Sequence, residues 1–470
     1  MSGGMDLLAS TWIARRSALL CGPAALLLFF AACGGEEPDG AGGGTSTTTT
    51  TTGPGSGGGG GGQGGGGQGG SGGNGGNGGN GGNGGQGGGT AELTLDAILD
   101  ALRADRDAAL RTYSEQAGFP IKLPEGYLFV CDGTCESLGL DRVAGDFDAW
   151  AGTPLTAEPG EDFRWALLDT PQPGDKYKFT NLSNYLADPW ARSYTVDGFG
   201  EISHIEPTVA HVDRYRDIDG AAVLPRNLRV WVPAEPIDRV LYAHDGQNLF
   251  YDGGPFGSWS LEQTAPPGML IVGMDSTSAR FEDYTHVQDD IGSGGLVGGA
   301  GDAYADYIEN TVRPLVQARY GEPGLLGVMG SSLGGLISLH IADLYPGTYA
   351  FAASLSGTVG WGSIGAGVTN ETMIERYAAH AQPVVTALYI DSGGGPGSGC
   401  VDTDADGIED DTPNSADNYC ENEQMRATLA GGAVYAEGTS LFHWWEQGAP
   451  HNEPAWAARV FRPLDLFAGL

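Results

Sequence analysis

The sequence predicts an α/β fold for residues 226–470, an all-β module for residues 124–225, and an export segment at the N-terminus. In the C-terminal half, short apolar runs alternate with helical patterns, which is typical of a parallel sheet covered by helices on both faces. The region before it contains short strand patterns separated by Gly, Pro and Asp, as in a β-sandwich.

The composition limits the number of domains and the class of partner. The chain has 470 residues, of which 82 are Gly. Because much of this Gly lies before residue 90, about two domains of ordinary size remain. Asp and Glu number 59 against 23 Lys and Arg, which gives a formal charge of −36. This acidity disfavours polyanions, so we expect neither nucleic-acid binding nor polyanionic substrates.

Residues 1–32 have the pattern of a signal peptide. Two arginines precede an apolar stretch, residues 24–32, that is shorter than a typical transmembrane helix. The sequence Phe30-Ala31-Ala32-Cys33 resembles a bacterial lipobox, although Leu is usual at the first position. The resemblance implies lipidation of Cys33 and anchoring to a membrane of the bacterial cell envelope, with exposure to the periplasm or the cell surface. The alternative is an ordinary signal peptide with a chance cysteine.

Residues 33–89 have a composition that cannot form a core. Long Gly runs, a Thr run and repeated Gly-Gly-Asn triplets fill the segment, and Pro is too rare for a collagen helix. In a segment this rich in glycine, the contacts that folding could form do not offset the conformational entropy that folding would cost. We therefore expect a flexible tether between the membrane and the folded part.

Four cysteines remain after the signal peptide and the lipidation site. An even number in an exported chain indicates two disulfides, for which three connectivities are possible. We expect the two local pairings. A zinc site is the rival interpretation, but neither local pair has the two-residue spacing of usual zinc knuckles. The expected pairs are Cys131–Cys135 and Cys400–Cys420.

Residues 90–123 begin with an amphipathic helical pattern. Apolar side chains recur at spacings of three and four residues after Thr94, a candidate N-cap. The pattern predicts one helix that runs to about Tyr113, with Pro120 and Pro124 beyond its end. The apolar positions are Leu95, Ile98, Leu99 and Leu102.

Residues 124–225 contain motifs that resemble the early-set immunoglobulin-like domain. That domain precedes the catalytic unit in glycogen-branching enzymes, isoamylase-type enzymes and enterochelin esterases, and some of its relatives bind glucans by stacking Trp on sugar rings. The resemblance implies such a role for Trp150 and Trp165; the alternative is that both pack in the sandwich core and the interdomain seam. The predicted strands are 127–130, 163–167 and 177–179, and the motifs are 143–150, 177–179, 187–189 and 197–200.

The C-terminal half contains a Gly-x-Ser-x-Gly pattern at residues 330–334, between a predicted strand and a predicted helix. Glycines on either side of the serine permit a sharp turn that exposes the hydroxyl above the sheet. Ser331 is in the wrong register for this turn, so we expect Ser332 to be a nucleophile. The predicted strands are 239–243, 269–273, 325–329, 350–353 and 384–390, and the predicted helices are 303–320 and 334–344.

A nucleophilic serine requires a base and an acid that orients the base, and in this fold class they follow the serine in the order acid, then histidine. His451 lies in a loop just after the predicted strand 441–445, at an edge where open α/β sheets place catalytic groups. Asp391 ends the strand 384–390. The sequence therefore predicts Asp391 and His451 as the acid and the base, in preference to three other histidines after Ser332: His340, His380 and His443.

These residues together resemble the putative-esterase family of α/β hydrolases, which includes Esterase D and feruloyl, acetylxylan and enterochelin esterases. The resemblance implies an α/β-hydrolase fold in which Ser332, Asp391 and His451 form the triad. It also implies that the N–H groups of Leu333 and Gln247 form the oxyanion hole, each donor contributing about 3 kcal/mol to transition-state stabilisation. The matching segments are 244–250, 280–284, 330–335, 389–393 and 451–456.

An acidic insertion separates Asp391 from His451. Asp residues at alternate positions followed by Gly407 resemble a calcium-binding loop, because a hard cation prefers oxygen ligands. Pro413 stands where an EF-hand has its bidentate Glu, so the motif is incomplete, and the alternative is a solvated acidic loop. The candidate ligands of this structural calcium are Asp402, Asp404, Asp406 and Asp410.

The sequence thus predicts an envelope-anchored serine esterase that needs no cofactor for catalysis. The expected substrates are small-molecule or saccharide carboxylic esters, with acetyl, feruloyl or siderophore-like groups. Two alternatives remain open at this stage. One is an inactive, glycan-binding surface lipoprotein, and the other is a serine peptidase on the same fold.

Overall fold

The structure is a computed structural model that describes residues 93–470, apart from 252–253, 255, 293, 323, 366 and 411–415. The predicted signal peptide, Cys33 and the predicted tether lie outside the described residues. No helix in the described part of the chain has both the length and the apolarity needed to cross a membrane.

Two helices, α1 (Leu95–Ala104) and α2 (Arg106–Gln116), open the described chain. Thr94 caps α1, since its hydroxyl accepts a hydrogen bond from the Ala97 N–H at 3.4 Å. The prediction of one continuous helix is wrong at Asp105, whose backbone is extended. The Asp105 carboxylate accepts from the Ala108 N–H at 3.0 Å and so starts a second helix. Asp favours such caps over helix interiors because its side chain competes for backbone N–H groups.

The next region consists of two β-sheets that share a core. Strand β2 alternates its side chains: Phe129 packs edge-on against Tyr177 of the second sheet at 4.9 Å, whereas Leu128 and Val130 face the cluster that includes α1 and α2. The immunoglobulin-like assignment stays a prediction. The elements are β1 (Ile121–Leu123), β2 (Gly126–Cys131), α3 (Gly133–Leu138), β3 (Arg142–Gly145), β4 (Thr153–Pro154), β5 (Thr156–Ala157), β6 (Arg164–Leu168), β7 (Lys176–Thr180), β8 (Tyr185–Leu186), β9 (Ser193–Asp197), β10 (Gly200–His204) and β11 (His211–Ile218).

The C-terminal region has the predicted alternation of strands and helices. Five of its strands coincide with the five predicted apolar runs to within a few residues. Its elements are β12 (Arg226–Val232), β13 (Arg239–His244), α4 (Leu261–Thr264), β14 (Met269–Met274), α5 (Arg280–Asp283), β15 (Gln288–Asp289), β16 (Val297–Gly298), α6 (Gly301–Tyr307), α7 (Arg313–Tyr320), β17 (Leu325–Ser331), α8 (Leu333–Leu344), β18 (Phe351–Leu355), α9 (Met373–Ala378), β19 (Ala387–Ser392), α10 (Tyr419–Gly431), β20 (Leu441–Trp445), α11 (Glu453–Ala457) and α12 (Phe461–Ala468).

One long sheet joins the two regions. Its parallel part has the order β20-β19-β18-β17-β13-β14, and β12 joins it antiparallel to β14. Strand β11 pairs with β12, so the sheet continues without interruption into the strands of the N-terminal module. Neighbouring residues of β13 and β17 alternate between two buried clusters, one on each face of the sheet. The prediction of a parallel sheet with two covered faces is therefore confirmed.

The predicted helix 303–320 is interrupted. A π-helical turn at Ile308–Val312 separates α6 from α7. Both predicted disulfides, Cys131–Cys135 and Cys400–Cys420, are present, which confirms the local pairing.

Candidate active site

Ser332 stands at a strained turn between β17 and α8. Its backbone has φ 56° and ψ −127°, a conformation that L-residues rarely adopt. A Cβ at Gly330 would lie 2.5 Å from the backbone of Gly334, and a Cβ at Gly335 would lie 2.5 Å from Ser354 Oγ. The glycines are therefore needed because the start of α8 passes so close to the sheet.

His451 follows β20 and pairs with a buried carboxylate. Its Nδ1 lies 2.7 Å from Oδ1 of Asp417, whose side chain is fully buried, while the His451 side chain is 35% exposed. The Asp417 contact fixes the ring so that Nε2 is the nitrogen left for proton transfer. Such a buried acid beside a partly exposed histidine is the arrangement that general-base catalysis requires.

The carboxylate that contacts His451 is not that of the predicted Asp391. The Asp391 carboxylate accepts hydrogen bonds from Arg459 at 3.0 and 3.1 Å and from the Tyr389 hydroxyl at 3.0 Å. Burial raises the pKa of Asp391, and Arg459 opposes that shift. Asp391 is the penultimate residue of β19, close to the predicted strand end. Its carboxylate pairs with the Arg459 guanidinium, and Asp417 contacts His451 instead.

Asp417 belongs to the insertion that follows β19. The chain leaves the sheet, forms the acidic loop, and returns to the strand end just before α10, where Cys420 is bonded to Cys400. Gly393 donates its N–H to Asp417 Oδ2, which ties the returning segment to the end of β19. Of the sequence features, only the predicted Cys400–Cys420 disulfide indicated that residues near 420 return to this edge of the sheet.

Backbone contacts join Ser332 to this pair. The Ser332 N–H donates to Leu355 O at 2.9 Å, and Ser356, the next residue, donates its hydroxyl to Asp417 Oδ2 at 2.6 Å. Among the residues that the structure describes, there is no hydrogen bond between the Ser332 hydroxyl and His451. Such contacts are often long before substrate binds. The three groups nonetheless follow β17, β19 and β20, at the carboxyl ends of strands in one parallel sheet.

The two predicted oxyanion donors lie on neighbouring segments. Leu333 begins α8, and Gln247 lies in a 3₁₀ turn after β13, its side chain bonded to Ser276 at 2.8 and 3.0 Å. A Cβ at Gly334 would lie 3.2 Å from His244 Cβ and 3.4 Å from Asp245 Oδ2, so the turn packs against the start of α8. The N-terminus of α8 thus lies beside this turn. The dipole of α8 would stabilise the negative charge of an oxyanion there.

The other predicted site residues have separate positions. The oxygens of Asp402, Asp404 and Asp410 approach within 4.8 Å of one another, as one cation would require. Asp406 instead accepts hydrogen bonds from the Ser363 hydroxyl and the Ile408 N–H. Calcium binding stays a prediction.

The two tryptophans of the N-terminal module differ in their surroundings. Trp165 donates to Glu158 at 2.9 Å and packs against the cluster beneath α1 and α2. Trp150 donates to Asp146 at 3.0 Å, and its ring centre lies 6.5 Å from that of Tyr185, which is 47% exposed. This favours packing for Trp165, whereas glucan binding by Trp150 stays a prediction.

Removal of the Cys400–Cys420 disulfide is expected to lower both stability and activity. In the chain-entropy model, its loop of 20 residues stabilises the fold by about 3 kcal/mol. Because the loop also positions Asp417, we expect kcat for an ester substrate to fall in the variant with Cys400→Ser and Cys420→Ser.

The matched control is the double replacement Cys131→Ser and Cys135→Ser, which opens a loop of only four residues in the N-terminal module. It is expected to lower the free energy of unfolding by about 2 kcal/mol while kcat is retained. Denaturant melts and steady-state rates check both variants. Equal losses of kcat would contradict a specific effect on Asp417.

The fold and the site together define an α/β-hydrolase-like protein: a serine at a strained strand-to-helix turn, with a histidine–aspartate pair on loops at the same sheet edge. A family model described as putative esterase matches residues 215–462, more than half of the chain. The chain belongs to the putative esterase family, and this membership supports an esterase function.

Two curated relatives match parts of the chain. The uncharacterized protein YbbA of Bacillus subtilis is 29% identical over 123 residues, which are 25% of this chain and 49% of YbbA. The siderophore triacetylfusarinine C esterase of Aspergillus fumigatus is 37% identical over 68 residues, which are 14% of this chain and 23% of that enzyme. The matches thus span less than half of each relative.

Two of the solved structures that match parts of the chain are described as a serine hydrolase and an esterase. An IroE-like serine hydrolase from Shewanella oneidensis has a TM-score of 0.42 and 17% identity, with 55% of this chain and 80% of that chain covered. An enterochelin esterase from Shigella flexneri has a TM-score of 0.38 and 16% identity, with 73% of this chain and 92% of that chain covered.

Proposed function

We propose that the chain is a serine esterase that hydrolyses carboxylic esters through a covalent acyl-enzyme. The observation that supports this most directly is the 2.7 Å contact between His451 Nδ1 and the buried Asp417, at the sheet edge where Ser332 occupies its strained turn. Family membership supports the reaction class.

The proposed reaction has two halves. Ser332 Oγ attacks the ester carbonyl while His451 Nε2 takes the hydroxyl proton, and Asp417 stabilises the imidazolium that forms. The N–H groups of Leu333 and Gln247 stabilise the oxyanion. The alcohol leaves with the proton from His451. A water molecule then attacks the acyl-serine while His451 takes one of its protons, and His451 returns that proton to Ser332 Oγ as the bond to the acyl carbon breaks and the carboxylic acid is released.

The proposed substrates are small-molecule or saccharide esters with acetyl, feruloyl or siderophore-like groups. The Aspergillus fumigatus relative is a siderophore triacetylfusarinine C esterase, and this similarity supports the last of these. The formal charge of −36 supports neutral or cationic substrates over polyanions. Hydrolysis rates on acetyl-saccharides, feruloyl-saccharides and triacetylfusarinine C would distinguish the three groups.

A fluorophosphonate probe tests the proposed nucleophile directly, because only an activated serine reacts with it. We expect one equivalent of label on Ser332, located by peptide mass spectrometry, together with hydrolysis of p-nitrophenyl acetate. A panel of matched amides tests the peptidase alternative. Absence of both labelling and hydrolysis would instead support an inactive, glycan-binding protein.

We further propose that a lipid on Cys33 anchors the protein in the bacterial cell envelope. The support is the sequence alone: a short apolar segment, a lipobox-like motif and a Gly-rich tether. Metabolic labelling with a palmitate analogue should mark the wild-type chain and spare a Cys33→Ala variant. Equal labelling of the two chains would refute the proposal.

Calcium binding by the acidic loop is tested by thermal unfolding. If the loop binds calcium, Tm rises in millimolar CaCl₂ relative to a chelator, because a ligand that binds only the folded state stabilises it. The rise should disappear in Asp404→Asn and persist in Asp169→Asn, which changes an exposed acid of the N-terminal module. A rise unaffected by Asp404→Asn would place the cation elsewhere.

A further inference from the structure

Arg459 and Asp391 form a buried ion pair below the candidate site. Arg459 Nε and Nη2 donate to the two oxygens of the Asp391 carboxylate at 3.1 and 3.0 Å. Arg459 is 1% exposed and Asp391 is fully buried. This two-pronged contact is the strongest geometry available between a guanidinium and a carboxylate, so it fixes both side chains.

The same guanidinium also reaches the acid that contacts His451. Arg459 Nη2 lies 3.6 Å from Asp417 Oδ2 and donates to Ser356 Oγ at 2.6 Å. Ser356 in turn donates its hydroxyl to Asp417 Oδ2 at 2.6 Å. Arg459 therefore interacts with both carboxylates. It contacts Asp391 directly, and it reaches Asp417 mainly through the Ser356 hydroxyl.

The charges in this cluster do not balance without His451. Asp391 and Asp417 contribute two negative charges and Arg459 contributes one positive charge, all removed from solvent. A buried net negative charge is unfavourable unless another cation compensates it. The imidazole that Asp417 contacts becomes such a cation when it is protonated, as ester hydrolysis requires.

We propose that Asp391 and Arg459 are positioning residues that set the charge and orientation of Asp417, and through it the ease with which His451 takes a proton. This inference rests on the proposed function and deepens it. Asp391 neutralises Arg459 and thereby leaves the charge of Asp417 available to the imidazolium. Without Asp391, the guanidinium would be compensated by Asp417 alone.

Other side chains around His451 are not part of the Asp391–Arg459 ion pair. Glu453, two residues away on α11, interacts electrostatically with His451, and the Asp245–Arg280 pair lies beyond it. The Trp456 ring meets the His451 ring edge-on at 4.9 Å and is uncharged. Asp391→Asn leaves these groups in place, whereas Ser356→Ala also removes the acceptor of the Trp456 indole N–H, which donates to Ser356 Oγ at 3.1 Å. Asp391→Asn is therefore the primary test of the pair.

The experiment is an NMR titration of the full chain labelled with ¹⁵N-histidine, in which a His451→Gln sample identifies the His451 signals. In Asp391→Asn, a negative charge is lost and Arg459 turns toward Asp417, so the titration midpoint of His451 should fall by about one pH unit. Ser356→Ala removes a donor from Asp417, which concentrates its charge on the imidazole, so the midpoint should rise.

The control is Tyr389→Phe, which removes one hydrogen bond to Asp391 at 3.0 Å without a change of charge, and should leave the midpoint in place. Midpoints that coincide with wild type in Asp391→Asn would overturn the proposal. If that variant does not fold, a midpoint in Ser356→Ala that fails to rise overturns it equally. Because the titration needs no turnover, a chain that titrates as expected but hydrolyses no ester would refute the proposed function alone.

Discussion

Replacement of Ser332 with alanine is expected to reduce kcat for ester hydrolysis by about 10⁴-fold or more, because the attacking oxygen is lost and water must react in its place. The oxyanion donors and the binding surface remain, so some rate above that in water should persist. The fold should be retained, since alanine has the same backbone restrictions as serine at φ 56°. Steady-state kinetics on p-nitrophenyl acetate and a thermal melt check both expectations.

Ser331 provides the matched control, because it is the adjacent residue and has the same hydroxyl. It ends β17, is buried, and stands one register away from the turn. Ser331→Ala should keep kcat within about tenfold of wild type, as expected for a residue outside the reacting group. Loss of activity in Ser331→Ala with survival in Ser332→Ala would show that the wrong serine had been assigned.

Local chemistry made much of this fold predictable. The strands of the parallel sheet are buried on both faces, so they appear in the sequence as continuous apolar runs such as 269–273. The turn at Ser332 was predictable because the strand before it and the helix after it approach each other closely. Glycine is therefore needed at fixed positions around the serine. The local disulfides were predictable because their loops are short.

Two of the differences from the sequence predictions came from interactions that sequence spacing does not show. The break between α1 and α2 depends on one side chain, Asp105, which caps a helix in the middle of a helical pattern. The absence of a contact between Asp391 and His451 among the described residues is explained by Arg459, which lies 68 residues after Asp391 and reaches it only in the folded chain. A carboxylate at a strand end meets the sequence criterion for a catalytic acid whether or not an arginine neutralises it.

Asp417 could not be recognised from its neighbours. It lies in an insertion whose path depends on the Cys400–Cys420 disulfide and on the hydrogen bond from Gly393. The position of Asp417 is thus set by tertiary contacts rather than by element order, and several other Asp residues in the same insertion are chemically equivalent in sequence. The contact with His451 is what distinguishes Asp417 from them.

The reassignment of the acid leads to the second large effect. Asp417→Asn is expected to lower kcat by about 10⁴-fold, because an amide cannot stabilise the imidazolium and can favour the wrong tautomer of His451. The change is nearly isosteric, so the loop should keep its path. The loss should appear in kcat with little change in KM, since Asp417 is fully buried and acts through His451 rather than on the substrate.

Asp391→Asn is expected to lower stability more than activity, the reverse of what is expected for Asp417→Asn. It leaves Arg459 buried without its two-pronged partner, which should lower the free energy of unfolding by about 3 kcal/mol. Its kcat at the optimal pH should stay within about tenfold of wild type, because Asp391 does not contact His451. Parallel kinetics and urea melts on the two Asn variants separate the roles. An inactive but stable Asp391→Asn beside an active Asp417→Asn would return the catalytic acid to the end of β19.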